Sequence, residues 1–137
     1  MGETETHPLL PTPTADSAPY WDGLNAGELR LQKCRACGTV RHYPRPVCDQ
    51  CFSMDVDWIA ASRRGTVLSW TTTHHAFHPA FKASLPQTFV TVDLDEGVRL
   101  CAPLRGADAA ALLSGLPVEI GFERIAPEWA IPVVTVA

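Results

Sequence analysis

Four of the five cysteines form two pairs with the spacing C-x2-C-x10-C-x2-C: Cys34, Cys37, Cys48 and Cys51. Two short turns that each present two thiolates can surround one ion as a tetrahedron, with zinc–sulfur distances of about 2.3 Å. Gly38 follows the first pair and permits the tight backbone turn that such a site needs. The spacing therefore predicts a structural zinc ion whose four protein ligands leave no position for water or substrate.

Other uses of these cysteines are less consistent with the sequence. Iron also accepts four thiolates, so the spacing alone does not separate zinc from iron. Disulfides conflict with an N-terminus that lacks a basic, apolar export signal, and they would leave Cys101 unpaired. Cys101 lies in a strand-like run and is predicted to be a buried apolar side chain.

A second cluster of reactive side chains occurs in the segment HHAFHPAF, residues 74–81. In an extended strand His74 and His78 would lie about 13 Å apart, too far to share an ion, and the segment holds no Asp, Glu or Cys. His74 is an acid–base candidate at neutral pH, but the sequence shows no nucleophile for it. We therefore assign no catalytic residue and interpret His74, Phe77, His78 and Phe81 as candidate ligand or partner contacts.

Charge is distributed unevenly along the chain. The net charge of −4 counts against indiscriminate binding to nucleic-acid phosphates. Residues 30–64, however, hold seven basic and three acidic residues, a net charge of +4, so the rest of the chain carries −8. A basic module on an acidic body can attract an anionic ligand or partner, and within it Arg41 and Arg45 are the candidate contacts.

The elements that must position these residues divide the chain into four parts. Residues 1–16 are predicted to be a flexible tail, because they mix Pro, Thr and acidic residues without periodicity. Residues 17–28 predict a short helix, with Pro19 in its first turn. Residues 29–60 predict a small zinc ribbon and residues 61–137 a β domain. With no run of about 20 apolar residues, we expect a cytoplasmic protein without a membrane segment.

The second half of the chain is rich in strand-like runs. They cover residues 56–60, 65–75, 88–94, 98–104, 118–125 and 131–136. Asp95-Glu96-Gly97 predicts a hairpin turn, and residues 108–113, DAAALL, predict a short helix capped by Asp108. About five strands with one short helix before the last ones indicate a mainly β protein and suggest a partly open Greek-key barrel of the OB type, although the pattern alone supports only a small β-barrel.

These residues together resemble a known family. The segments YWDGLNAGELRLQKCRACGTVRHYPRPVCDQC, RRGTVLSWTTTHHAFHPAF, LDEGVRLCAPLRG and PVEIGFERI are similar to zinc-ribbon proteins with an attached OB-fold, the domain of unknown function thirty-five. The resemblance spans roughly residues 18 to 136. It implies an N-terminal helix, a rubredoxin-like ribbon with zinc on Cys34, Cys37, Cys48 and Cys51, and a C-terminal OB-fold.

The resemblance also implies a function. Members accompany thiolase-like, lipid-transfer-protein-like or hydratase-like enzymes that act on acyl-CoA thioesters in lipid metabolism, as accessory subunits that stabilise the enzyme or position its substrate. We therefore expect a non-catalytic subunit of a hetero-oligomer. Two alternatives stay open: a single-stranded nucleic-acid-binding OB-fold, which the acidic barrel disfavours, and a stand-alone acyl-CoA hydrolase that uses His74.

Overall fold

A computed structural model describes residues 10–137, so the predicted tail falls partly outside the described residues. Within residues 10–137, one α-helix is followed by eight β-strands and two short 3-10 helices. Their bounds are α1 Ala18–Asn25, β1 Arg30–Cys34, β2 Val40–Arg41, β3 Val56–Ala60, β4 Arg64–Thr73, a 3-10 helix Pro79–Ser84, β5 Gln87–Leu94, β6 Arg99–Pro103, a 3-10 helix Ala109–Ala111, β7 Pro117–Ala126 and β8 Trp129–Val136.

Helix α1 confirms the predicted N-terminal helix. Pro19 occupies its first turn, where a missing N–H is tolerated, and Gly27 follows its end with a positive φ of 80°. Tyr20 and Leu24, four residues apart, lie on one face of the helix and are buried. The helix therefore turns an apolar face towards the rest of the molecule.

The first sheet has three antiparallel strands in the order β2-β1-β3. Strand β1 is central: Gln32 faces Arg41 of β2 on one side and Trp58 of β3 on the other. We call this sheet, together with the two cysteine-containing turns at its end, the ribbon, residues 30–60. Strand β2 is only two residues long, so few backbone hydrogen bonds hold this side of the ribbon.

The second sheet has five antiparallel strands in the order β6-β5-β4-β7-β8 and closes on itself. Leu104, just after β6, bridges to Val134 of β8, and the N–H of Arg105 donates to the Val134 carbonyl at 2.9 Å. The predicted five-stranded OB-fold barrel is thereby confirmed, and its observed strands lie within residues 64–136. Its inward side chains form the main core: Val67, Val90, Val92, Leu94, Leu100, Ala102, Leu104, Leu112, Val118, Ile120, Ala130 and Val134.

Two local predictions in the barrel are wrong. Residues 108–113 do not form an α-helix; only Ala109–Ala111 form a single 3-10 turn, because Leu112 leaves the turn in an extended conformation and packs into the core. Cys101 is exposed rather than buried. Side chains alternate along β6, and the inward positions belong to Leu100 and Ala102, which places Cys101 on the opposite face.

Helix α1 lies between the ribbon and the barrel. The side chain of Asn25 accepts a hydrogen bond from the Ala130 N–H of β8 at 2.8 Å. On the ribbon side, the Trp21 indole N–H donates to the Tyr43 hydroxyl at 2.9 Å. Within residues 10–137, no helix is long and apolar enough to cross a membrane.

Candidate metal centre and the adjoining groove

The fold brings the four paired cysteines to one place. Their four sulfur atoms lie within 4.8 Å of one another, and Sγ–Sγ distances are 3.5 Å for Cys34–Cys51 and 3.6 Å for Cys37–Cys48. A tetrahedral ion with bonds of about 2.3 Å requires sulfur atoms about 3.8 Å apart, so the observed spacing fits such an ion closely. This is the one group of three or more potential ligands among residues 10–137.

Hydrogen bonds at the sulfur atoms favour the charged thiolates that a metal binds. The Thr39 hydroxyl lies 3.1 Å from the Cys37 sulfur, and the Gln50 N–H donates to the Cys48 sulfur at 3.4 Å. The Thr39 hydroxyl and backbone N–H lower the pKa of Cys37 to about 6. The backbone N–H of Cys37 likewise lowers the pKa of Cys34.

The pKa of Cys51 is shifted in the opposite direction. Its pKa rises to about 12 although the backbone N–H of Ser53 favours its thiolate, because the adjacent Cys34 sulfur and its neighbours disfavour another negative charge. Four thiolates this close therefore need a cation to be charged together. The site thus fits a divalent metal ion in both geometry and charge, with Cys34 and Cys48 buried and Cys37 and Cys51 exposed.

Arg41 and Arg45 lie next to the metal site but in different surroundings. Arg41 is only 5% exposed; its Nε donates to the Gln32 side-chain oxygen at 2.7 Å, and its Nη2 donates to the Arg45 carbonyl. The same Gln32 oxygen accepts the Arg45 N–H at 2.8 Å. Arg45 itself is exposed and pairs with Asp49 at 3.2 Å. Arg41 therefore stabilises the turn that leads to Cys48, whereas the guanidinium of Arg45 is exposed to solvent.

The His74–Phe81 segment forms the connection between β4 and β5. The His78 Nδ1 accepts a hydrogen bond from the Ala80 N–H at 3.0 Å and so caps the 3-10 helix that follows. His75 packs edge-on against Phe77 with ring centroids 4.7 Å apart, and Phe77 is 84% exposed. His74 is exposed. Among residues 10–137, no cluster of three or more potential metal ligands therefore includes any of these histidines.

Phe81 leads into a groove between helix α1, the ribbon and the barrel. We call it the aromatic groove; it has a volume of about 640 Å³. Its walls include Tyr20, Trp21, His42, Tyr43, Phe81, Phe89, Cys101, Arg105, Glu123, Arg124, Ile125 and Ile131. A smaller apolar pocket of about 160 Å³ shares Phe81 and Phe89 with it and also contacts His75 and Phe77. Of the four loop residues predicted to contact a ligand or partner, Phe81 is therefore the one that lines the aromatic groove.

Sequence reasoning missed the aromatic cluster at one end of this groove. Tyr20 of α1 packs against Trp21, His42 and Tyr43, with ring centroids 5.2–5.4 Å apart. Burial lowers the pKa of His42 to about 4 and raises that of Tyr20, so both side chains are neutral at pH 7. The only sequence signal for this cluster was a pair of aromatic dipeptides, Tyr20-Trp21 and His42-Tyr43. They are separated by 20 residues and come into contact only in the folded chain.

Comparison with known proteins agrees with this architecture. The family model described as the ChsH2 rubredoxin-like zinc ribbon domain matches residues 21–57, and that described as the ChsH2 C-terminal OB-fold domain matches residues 58–123. The solved structure named Ltp2-ChsH2(DUF35) aldolase contains a similar chain, with a TM-score of 0.83 and 35% identity, covering 92% of this chain and 98% of that one.

Two curated relatives are longer than this chain. A protein named probable enoyl-CoA hydratase alpha subunit, from Thermomonospora curvata, is 36% identical over 135 residues, which is 96% of this chain and 42% of that protein. The 3-oxo-4,17-pregnadiene-20-carboxyl-CoA hydratase alpha subunit of Mycobacterium tuberculosis is 37% identical over 123 residues, 90% of this chain and 38% of that protein. The chain thus spans about two fifths of the length of these relatives.

The order of elements, the four-cysteine site and both family models lead to the same assignment. This chain belongs to the DUF35 family, with a ChsH2-type rubredoxin-like zinc ribbon followed by a ChsH2-type OB-fold domain.

Proposed function

We propose that this chain is a non-catalytic accessory subunit that binds a thiolase-like, lipid-transfer-protein-like or hydratase-like enzyme acting on acyl-CoA thioesters. The observation that carries this proposal is the likeness to the DUF35 chain of the Ltp2-ChsH2(DUF35) aldolase, which extends over nearly the whole of both chains. The site geometry supports it, because an ion held by four protein sulfur atoms has no open position at which to activate water or a carbonyl.

The ion in this proposal is zinc, held by Cys34, Cys37, Cys48 and Cys51. Four thiolates in a tetrahedron suit zinc, which has no redox chemistry and serves to fix the fold of small modules. Elemental analysis of protein purified under reducing conditions should give one zinc per chain. One iron per chain, with the visible absorption of an iron–thiolate centre, would replace zinc in the proposal.

The aromatic groove is the proposed place for the apolar part of a thioester. Its volume of about 640 Å³ and its aromatic walls fall within the range of small-molecule sites. Phe81 lines it, and the neighbouring His74, Phe77 and His78 belong to the loop at its edge. Arg45, and to a smaller extent the buried Arg41, are proposed to contact anionic groups of a ligand or partner.

The accessory role is tested with purified components. The chain is mixed with a purified thiolase-like, lipid-transfer-protein-like or hydratase-like acyl-CoA enzyme from the same organism. Complex formation is measured by size-exclusion chromatography with light scattering, and thioester turnover is measured with and without the chain. We expect a stable complex, and turnover that is higher with the chain present. No complex and unchanged turnover would refute the proposal.

The groove is tested in that complex with a matched pair of variants. Phe81 lines both pockets whereas Phe77 lines only the smaller one, so Phe81→Ala should raise KM for a long-chain thioester about fivefold and Phe77→Ala should leave it near the wild-type value. Equal effects of the two substitutions would locate the acyl group outside the aromatic groove.

A further inference from the structure

The two cysteine-containing turns of the ribbon are built alike. In the first, the Gly38 N–H donates to the Cys34 carbonyl at 2.9 Å; in the second, the Phe52 N–H donates to the Cys48 carbonyl at the same distance. Gly38 has φ +79° and Phe52 has φ +65°, so both residues occupy the left-handed region. Phe52 therefore stands where the first turn uses glycine.

Phenylalanine is an unfavourable residue at such a position. A left-handed backbone crowds the Cβ atom of any residue except glycine, and a bulky side chain at positive φ is uncommon. Burial of the ring within the chain would offset this cost, but Phe52 is 77% exposed. The strained residue thus gains little from its own fold, and unexplained backbone strain of this kind points to a function of the side chain.

Two further exposed apolar residues lie on the arms of the same turn as Phe52. The Cys48 N–H donates to the Ser53 carbonyl at 2.9 Å, which holds the two arms of the turn together. Val47 and Met54 flank this pair on the two arms, and they are 38% and 70% exposed. We call Val47, Phe52 and Met54 the knuckle patch. Aromatic residues and methionine are enriched at protein interfaces, where they fill pockets on the partner.

The charges beside the knuckle patch restrict what covers it. Asp49, next to Cys48, is paired with Arg45, and Asp55, next to Met54, is in no ion pair within residues 10–137. Arg35, whose backbone N–H donates to the Asp55 carbonyl, is likewise paired with Asp57, so the rim carries no net positive charge and has little attraction for the phosphates of nucleic acids or of anionic lipid headgroups. An apolar pocket on a protein, with a basic residue opposite Asp55, complements both the patch and its rim.

We propose that the knuckle patch docks the acyl-CoA enzyme, with the Phe52 ring inserted into an apolar pocket of that partner. This inference rests on the proposed function and adds the surface that makes the contact. The metal has a definite part in it: by fixing both arms of the second turn, it presents Phe52 and Met54 in one rigid arrangement, so that little conformational entropy is lost on binding.

The deciding variant is Phe52→Gly, which separates folding from docking. Glycine suits a φ of +65°, so this variant should keep one metal ion and melt at or above the wild-type temperature. Loss of the ring should nevertheless weaken the Kd for the purified partner enzyme about thirtyfold or more, measured by titration calorimetry. Leu113→Ala is the matched control, because Leu113 is 68% exposed on the barrel; it should bind as the wild type does.

Two more substitutions test the rest of the patch. Met54→Gln, which removes an apolar contact while keeping the side-chain length, should weaken the Kd about fivefold or more. Asp55→Lys should weaken it severalfold, with an effect that diminishes at high salt.

The outcomes distinguish the two proposals. A wild-type chain that forms no complex refutes the accessory role and the docking surface with it. A wild-type complex whose Kd is unchanged by both Phe52→Gly and Met54→Gln refutes the docking surface alone. Loss of metal from Phe52→Gly would show that the ring serves the fold, and would also overturn the inference.

Discussion

The ribbon and the barrel are both small antiparallel β-structures, but they differ in what lies between their strands. The barrel encloses a continuous set of aliphatic side chains, with Val90, Ile120 and Val134 fully buried. The ribbon buries much less apolar surface, and its buried groups include Gln32 and Arg41 beside the cysteines. Apolar burial suffices for the barrel, whereas the ribbon needs the additional free energy of bound metal.

Removing one metal ligand should have the largest effect, and it should be confined to the ribbon. Cys48→Ser takes away a buried thiolate, and metal binding in comparable modules supplies on the order of 10–16 kcal/mol. We expect elemental analysis to show loss of the metal, and hydrogen exchange to show loss of protection in β1 and β2 while β4–β8 stay protected. Cys101→Ser, at the exposed fifth cysteine, should change neither. Retention of one metal ion by Cys48→Ser would contradict this account of the ribbon.

A substitution that leaves a cavity in the barrel core should have the opposite result: it should destabilise the barrel and leave the metal bound. Ile120 is fully buried in β7 opposite Val134, and Ile120→Ala should lower the free energy of unfolding by about 2–5 kcal/mol. Denaturant unfolding followed by circular dichroism measures the loss, and the purified folded variant should still contain one metal ion. Leu113→Ala, at an exposed position, should stay within about 0.5 kcal/mol of the wild type. Metal loss in Ile120→Ala would mean that the two regions do not fold independently.

The same comparison explains which features were predictable from sequence. The metal site was predictable because Cys34, Cys37, Cys48 and Cys51 occur at short fixed spacings, and local turns alone place each pair. The strands were predictable from alternation and turn residues; the hairpin at Asp95-Glu96-Gly97, for example, is closed by the Gly97 N–H and the Leu94 carbonyl. Both signals are local in the chain.

The remaining features depend on contacts that are distant in sequence. Cys101 was predicted to be buried because of its residue type, but the register of β6 decides which face it occupies. The aromatic groove is lined by residues of helix α1, the ribbon and the barrel, so no pattern within a single segment of the sequence predicts it. Phe52 is a further example: its left-handed conformation is visible only when the second turn is compared with the first.

A substitution at Gly38 tests how far the ribbon depends on turn geometry. Gly38 has φ +79°, and no atom lies within 4 Å of where a Cβ would stand, so Gly38→Ala should cost only the backbone strain, about 1–2 kcal/mol. That cost should appear as weaker metal binding in competition with a chelator. Gly27→Ala is the control, because Gly27 has φ +80° with equally open surroundings but lies outside the ribbon. Equal loss of metal affinity in both variants would argue against a local effect.

The smallest expected effect lies in the barrel and depends on pH. Arg105 holds Glu123 in a two-point ion pair, with N–O distances of 2.6 and 3.1 Å, and these hydrogen bonds lower the pKa of Glu123. Because the folded-state pKa lies below the unfolded one, the pair stabilises the fold above the unfolded value, and this contribution disappears as pH falls through the folded value.

Both side chains of this ion pair are more than one third exposed, so the pair contributes about 1 kcal/mol or less to the free energy of unfolding. Glu123→Gln should therefore unfold slightly more easily than the wild type at pH 7, and the difference should diminish as the pH falls below the ordinary range of a glutamate carboxyl. Thermal unfolding between pH 7 and pH 3 measures this difference. The metal content should not change in either protein above pH 6, because the pair belongs to the barrel. A difference that does not diminish at all between pH 7 and pH 3 would mean that Glu123 acts through packing along the aromatic groove rather than through its charge.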